Sequence, residues 1–285
     1  MNETDDESID FLVLGGTGLA GSSIVKELKS RNKKFRFASR CGKDIKVDAT
    51  AYEPLSELIK VLKPKNVINC VAEINISFCE SNFVETWRKN VEVVVNLSYM
   101  AQCFDFKLVQ ISTDHYFTGD TKEKHNEQFP VVLLNAYAKQ KYCAEIAASQ
   151  ATKNLILRTS FTGNSSYSNG RETLWSWVRN ALDTGNEVTL FSDAFTSTLD
   201  NISFAKCVVD LIDTGASGIF NVASSDVFSK EEFFLEVAKQ LGINYINAQS
   251  GSVVNLATAR ANNLGLCTKK IEKSLGYSMP GLEDV

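Results

Sequence analysis

Histidine is nearly missing from this 285-residue chain, with only His115 and His125 present, which leaves too little imidazole for a His-rich zinc site. No apolar run approaches the ~18 residues that span a bilayer, and no Lys/Arg-led leader opens the sequence. These absences predict a cytoplasmic protein that stays off the membrane. An excess of positive charge is also lacking: 30 Lys and Arg stand against 34 Asp and Glu, a formal charge of −4. Five of the acids (Glu3, Asp5, Asp6, Glu7 and Asp10) crowd the first ten residues, leaving 29 acids against 30 bases elsewhere. Such a neutral body offers no electrostatic footprint to nucleic acid and no polybasic anchor to a membrane. The seven cysteines are odd in number, scattered and without a C-x-x-C pair, which predicts reduced thiols rather than a disulfide scaffold.

What is present is ordinary globular material. Hydrophobic residues make up 44% and charged residues 22%, which excludes general disorder. The length suits one large α/β domain with a smaller lobe. Residues 1–8 read as an acidic flexible tail. Ile9 to Leu14 is a short apolar run closed by glycine, the signature of a buried parallel strand. Helical spacing over Ser22 to Arg31 follows, then strands at Phe35–Ala38, Asn66–Val71, Lys107–Ile111 and Leu155–Leu157. Helices are expected from about Pro54 to Leu62, Val84 to Phe104 and Ala136 to Ala148. This alternation predicts an α/β fold, a Rossmann-type doubly wound parallel sheet over 9–160. Residues 161–285 read mostly as a smaller C-terminal substrate lobe with some segments returning to the sheet. That lobe opens on a polar loop, Gly163 to Gly170, then a helix at Leu174 to Leu182 in which Trp175 and Trp177 mainly pack. Strands near Val188–Phe191 and Ile219–Val222 and a helix from Lys230 to Leu241 complete it.

Gly15, Gly18 and Gly21 join the first strand to the first helix in G-x-x-G-x-x-G spacing. Glycine lets the backbone approach a pyrophosphate whose charge sits at the helix N-terminus, so Gly15, Thr17, Gly18, Leu19, Ala20 and Gly21 are candidate cofactor contacts. The end of the second strand reports on the ribose. An acid there would hold a 2′-hydroxyl, whereas Ser39-Arg40-Cys41 presents a base, with no acid before Asp44. NADPH is therefore the expected cofactor, with NADH the other candidate.

Tyr137 and Lys141 lie four apart on a predicted helix and so share one face. An ammonium beside a phenol lowers the phenol's pKa from about 10 and makes it a usable acid–base. Ser112-Thr113-Asp114-His115-Tyr116-Phe117-Thr118-Gly119 follows a strand, at the end where ligands bind in such sheets. Glycine turn, strand-end hydroxyl and Tyr/Lys helix come in the order of the extended short-chain dehydrogenase/reductase superfamily. Within it the chain most resembles the dTDP-4-dehydrorhamnose reductases, whose hydroxyl motif reads S-T-D-Y-V-F-x-G. Asp48-Ala49-Thr50, Asn69-Cys70-Val71-Ala72, Cys79-Glu80, Asn90, Arg158-Thr159-Ser160-Phe161, Arg260-Ala261-Asn262-Asn263 and Lys270 to Gly276 extend the resemblance along nearly the whole chain.

The resemblance implies roles. Tyr137 would protonate the C4 oxygen of a nucleotide-linked 4-keto-6-deoxy sugar, Lys141 would tune Tyr137 and bond the nicotinamide ribose, and Thr113 would polarise the ketone. Asp48 and Ala49 would flank the adenine, and Ala72, Glu73 and Ile74 would line the cofactor's path. Ile76, Asp114, His115 and Phe161 would face the substrate. The product would be rhamnose for surface polysaccharide, and a homodimer would be unsurprising. Two departures lie on the sugar side: His115 stands where these reductases carry Tyr, and Phe161 where they carry Trp. The missing Glu of the related dehydratases argues against dehydration. Three other readings stay open: a bifunctional epimerase/reductase with His115 as base, a sugar-nucleotide 4-epimerase, and a non-catalytic subunit resembling the regulatory subunit of methionine adenosyltransferase.

Overall fold

The computed structural model describes residues 8–119, 122–163, 174–243 and 247–284. The polar loop expected over 163–170 therefore lies almost wholly outside the described residues, as does the acidic tail up to residue 7. The strands β1 (Phe11–Leu14), β2 (Phe35–Ser39), β3 (Ile45–Lys46), β4 (Asn66–Asn69), β5 (Lys107–Ile111) and β6 (Asn154–Thr159) form one parallel sheet with the strand Gly218–Val222. Its order is Gly218–Val222, β6, β5, β4, β1, β2, β3. From β1 the chain first moves outward to β2 and β3, then returns to β4 on β1's other side. That reversal opens a crevice beyond the C-terminal ends of β1 and β4, where ligands bind in such sheets.

Helices cover both faces. The helices α1 (Leu19–Ser30), α2 (Tyr52–Leu62), α3 (Ile76–Ser81), α4 (Phe83–Trp87), α5 (Val93–Phe104) and α6 (Ala136–Ser149) lie between sheet strands. All four β1 side chains are buried, Phe11 and Val13 against Ile24 and Leu28 of α1, Leu12 and Leu14 against Val94 and Leu97 of α5. A fully buried aliphatic side chain contributes about 1.5–3 kcal/mol, so this strand anchors the sheet from both sides.

Later elements are α7 (Leu174–Thr184), α8 (Asn201–Asp213), α9 (Lys230–Gln240) and α10 (Lys269–Leu275). α8 packs on α1, tied by Arg31 to Asp210 at 2.7 Å, and Gly218–Val222 pairs with β6. These segments of the second half thus belong to the sheet. α7, α9 and the strand Val188–Phe191 form a separate small core in which Trp177 meets Phe234 edge-on at 5.5 Å and Trp175 packs nearby. The seven cysteines are all free thiols, and among the described residues no helix is long and apolar enough to cross a membrane.

Two local departures from the expected pattern matter for the site. α1 begins at Leu19 rather than Ser22, so the glycine turn runs straight into the helix end. The long helix expected over Val84 to Phe104 is continuous but interrupted by a π turn, Arg88–Glu92, between α4 and α5. Such bulges carry one extra residue per turn and re-aim side chains; here Asn90 is buried within it.

Candidate active site

After β1, Gly15 adopts φ +77° and its N–H donates to the Ala38 carbonyl at 2.9 Å. A Cβ on Gly16 would meet the Phe37 ring at 2.6 Å, and one on Gly21 would run into the Gly15 carbonyl oxygen. Packing alone therefore demands glycine at these positions. Gly18 is different, because a Cβ there would meet only the Gly15 carbonyl, at 3.4 Å. It caps α1 without a side-chain hydrogen bond, and no acid occupies the first helical turn. Bare N–H groups at a dipole's positive end, with open space in front, fit a pyrophosphate.

At the end of β2, Arg40 is exposed while Ser39 is buried. Asp44, the first acid beyond the strand, is already held by Arg36 at 2.8 Å and by the Phe37 N–H at 2.9 Å, so it presents no free carboxylate to a ribose. Cys41 donates toward the Thr17 hydroxyl at 3.5 Å and contacts the Ser39 hydroxyl at 3.3 Å, and these two hydrogen bonds lower its thiol pKa. Asp48 accepts from the Thr50 N–H and hydroxyl, which holds its carboxyl below the ordinary range against a raising desolvation effect. Ala49 is buried against the α2 side of the core.

Beyond β4, Ala72 is half-buried, Glu73 buried and Ile74 exposed. The Glu73 carboxylate accepts from the Ile74 and Asn75 N–H groups. Asn90 exchanges two hydrogen bonds with the Glu73 backbone, at 2.8 and 3.0 Å, and donates to Gln140 at 2.8 Å. The π turn thereby pins this loop to α6. Ile76 packs with Cys79, Ala136 and Tyr137.

α6 opens on Asn135, whose side chain accepts from the Ala138 N–H, and Glu80 accepts from the Ala136 N–H at 2.6 Å. This cap sets Tyr137 and Lys141 one turn apart, both buried, beside the end of β5. The Lys141 ammonium donates to the Ile111 carbonyl at 2.7 Å. Thr113 is buried, accepts from the His115 N–H at 3.2 Å and engages the Tyr137 hydroxyl.

The electrostatics correct one expectation. Burial pushes the Tyr137 phenol above its ordinary value, and only the Thr113 hydrogen bond works the other way. Lys141, itself pulled down to about 8 by burial, does not lower it. The reason is desolvation, which disfavours the phenolate more than a neighbour four residues away favours it. Tyr137 therefore holds its proton throughout the neutral range.

Next to it, burial lifts Asp114 to about 7, and burial with the charges of Lys230 and Arg260 depresses His115 to about 3. The His115 ring meets Tyr137 edge-on at 5.7 Å. Asp114 Oδ2 and His115 Nδ1 are buried without a hydrogen-bond partner. Phe161 stands slightly apart, its ring stacked on the buried Phe204 at 4.3 Å. That face of Phe161 is therefore taken up by packing.

A glycine turn, a strand-end hydroxyl and a Tyr/Lys helix thus open on one crevice. The family model for the RmlD substrate binding domain matches residues 9–284. The chain belongs to this family. Among its relatives is a probable low-salt glycan biosynthesis reductase, Agl14, of Haloferax volcanii, 27% identical, covering 95% of this chain and 94% of the relative. The dTDP-4-dehydrorhamnose reductase of Shigella flexneri is 22% identical with the same two coverages. In three dimensions the chain superposes on the Bacillus anthracis dTDP-4-dehydrorhamnose reductase in complex with NADP with a TM-score of 0.87, at 20% identity, covering 97% and 96% of the two chains. The RmlD-type Rossmann fold expected from the sequence is the fold found.

Some residues of the site escaped sequence reading. Gln140 sits between Tyr137 and Lys141 but was silent, because its role depends on Asn90 fifty residues earlier. In the sequence Lys230 marks only the start of a helix and Arg260 only a segment of the resemblance, yet the charges of both act on His115. A cation as the first residue of a helix, where the dipole opposes it, was the one signal available for Lys230.

Proposed function

We propose that this chain is an NADPH-dependent reductase of a nucleotide-linked 4-keto-6-deoxy sugar, with dTDP-4-dehydrorhamnose as substrate, acting in the cytoplasm in polysaccharide synthesis. The observation that carries the reading is the buried Thr113, Tyr137 and Lys141 group beside the bare N-terminus of α1. Residues 9–160 are the nucleotide half, and residues after 161 supply the substrate lobe except where α8 and Gly218–Val222 rejoin the sheet.

In this mechanism Gly15, Thr17, Gly18, Leu19, Ala20 and Gly21 cradle the pyrophosphate. Ser39 and Arg40 take the 2′-phosphate, Asp48 and Ala49 flank the adenine, and Ala72, Glu73 and Ile74 line the path to the nicotinamide. When bound, the reduced cofactor supplies a hydride to the carbonyl carbon. Thr113 and Tyr137 hold the ketone oxygen, and Tyr137, protonated at neutral pH, gives it the proton. Lys141, one turn further along the same helix face, donates to the Ile111 carbonyl at 2.7 Å and would bond the nicotinamide ribose. Ile76, Asp114, His115 and Phe161 border the sugar. Arg40, with Asp44 already engaged, favours the phosphorylated cofactor over the NAD of a 4-epimerase.

The test is loss of nicotinamide absorbance with NADPH or NADH and dTDP-4-keto-6-deoxy sugar, with and without a separate 3,5-epimerase. Oxidation of NADPH only when the epimerase is present is the expected result. No oxidation across a panel of sugar nucleotides would overturn the reading in favour of a binding subunit. In the same assay Arg40→Ala should raise KM for NADPH roughly tenfold to a hundredfold, the worth of a charge-assisted hydrogen bond, and leave NADH unchanged.

A homodimer belongs to the same proposal. Val95 and Tyr99, four apart on α5, and Ile146 on the adjoining α6 are exposed apolar side chains. Light scattering should give twice the 31.5 kDa of one chain.

A further inference from the structure

In the mechanism above each reduction takes one proton from Tyr137, and Tyr137 is buried, so the next turnover waits on a second proton reaching it. Two buried donors are near, and the hydrogen bonds separate them. The Lys141 ammonium is turned to the Ile111 carbonyl at 2.7 Å. Tyr137 instead engages the Thr113 hydroxyl, which donates to Asp114 Oδ1 at 3.4 Å and accepts from the His115 N–H at 3.2 Å. A hydroxyl can accept a proton on one side while releasing one on the other. Thr113 thus links the Asp114 carboxyl to the Tyr137 oxygen.

Asp114 is 2% exposed, and its Oδ2 has no hydrogen-bond partner. A buried carboxylate with an empty oxygen is costly, and the neutral acid far less so. Burial accordingly lifts Asp114 to about 7, against the hydrogen bonds of Thr113 and Ser160 and the charge of Lys230. The other titratable groups facing it are Tyr137 and His115, whose Nε2 lies 3.9 Å from Oδ1. Ser160 is in turn tied to Thr198 at 3.0 Å, and Thr198 to Thr196 at 2.8 Å, which fixes the carboxyl's surroundings. Burial holds the Tyr137 phenol above its ordinary value and so well above Asp114. A proton offered along Thr113 therefore runs toward the tyrosine.

We propose that Asp114 is the proton store that reloads Tyr137 through Thr113 after each reduction, an inference that rests on the ketone-reductase reading above. As the ketone carbon takes up hydride from NADPH, the Tyr137 proton passes to its oxygen, leaving an alcohol, NADP+ and a phenolate. When the alcohol leaves, the Thr113 proton moves to the phenolate as the Asp114 proton moves to Thr113 Oγ1. Tyr137 and Thr113 are restored, and Asp114 is left as a carboxylate. One solvent proton, the one that ketone reduction consumes, returns it to the acid past His115, whose side chain is 24% exposed.

The test is rapid mixing of the NADPH-loaded protein with saturating dTDP-4-keto-6-deoxy sugar at about pH 7, with the 3,5-epimerase present, in wild type and Asp114→Asn. Asparagine keeps the side chain's shape but has no acidic proton. Tyr137 enters the first turnover already protonated, so the first NADPH per site should be consumed within about threefold of the wild-type rate. Later turnovers should be about tenfold or more slower than in the wild type, because the acid is gone. A residue serving only shape or sugar binding would slow first and later turnovers alike. The wild-type steady-state rate should also fall as pH rises through about 7, where the acid form is lost, and Asp114→Asn should lack that step. A ratio of first to later turnover equal to that of the wild type would overturn the store and leave the reductase reading intact. If Asp114→Asn does not fold, infrared spectra of the wild type decide. A carboxylic acid band present at about pH 5.5 and gone by about pH 8.5 is expected, and its absence would overturn the store. A wild type that reduces no sugar nucleotide would bring down the reductase reading and the store with it.

Discussion

Replacing Tyr137 with Phe should lower turnover about 10²–10⁴-fold, the usual contribution of a positioned general acid. The substitution removes one hydroxyl from a buried ring and leaves the packing with Ile76, Cys79 and Ala136 intact. NADPH affinity, measured by fluorescence titration, should stay within a few fold, because the turn at Gly15 to Gly21 is untouched. The loss should fall on kcat rather than on cofactor binding. Burial holds the phenol above its ordinary value, so the proton is present throughout the neutral range and the reducing direction needs no prior ionisation. Near-normal turnover in Tyr137→Phe would sink the mechanism.

The largest expected loss of stability comes from Arg158→Met. Arg158 and Glu145 are both 3% exposed, with Nη2 to Oε2 at 2.8 Å and two further contacts from Nε. The guanidinium also lies 5.2 Å from the centre of the Tyr116 ring and donates to the Glu127 carbonyl. Removing it leaves Glu145 charged, buried and without its cation, a loss of about 3–5 kcal/mol. Glu145 also accepts from the Ser112 hydroxyl at 2.6 Å, so the disturbance reaches the segment that carries Thr113. The double variant with Glu145→Gln should recover much of the loss, since the orphaned charge goes with its partner. Urea denaturation measures both, and a loss below 1 kcal/mol for the single variant would show that the pair matters little.

Much of the scaffold was legible along the chain because its signals are local. The apolar run before Gly15, the strand–helix alternation and the four-residue step from Tyr137 to Lys141 each follow from backbone geometry within a few residues. Boundaries were less legible where no side chain marks them. α1 starts at Leu19 because Gly18 caps it, and glycine offers no capping side chain to read. Neither the π turn at Asn90 nor α8 left a periodic signature strong enough to place them, since both are specified by what they pack against.

By itself the sequence determined the parallel α/β sheet, the glycine turn with a base rather than an acid at the end of β2, and Thr113, Tyr137 and Lys141 as the candidate group beside it. Only the tertiary structure decided how those groups are ionised and what surrounds them. Burial overrides the Lys141 charge at Tyr137, lifts Asp114 to about 7 and, with Lys230 and Arg260, depresses His115 to about 3. Desolvation depends on everything packed around a group, and the ribbon of Phe195–Thr196, Phe228–Ser229 and Asn263–Leu264 that adjoins Lys230 and Arg260 is made of pairings between residues 32 to 68 apart. Neither quantity is written in any short stretch of the chain.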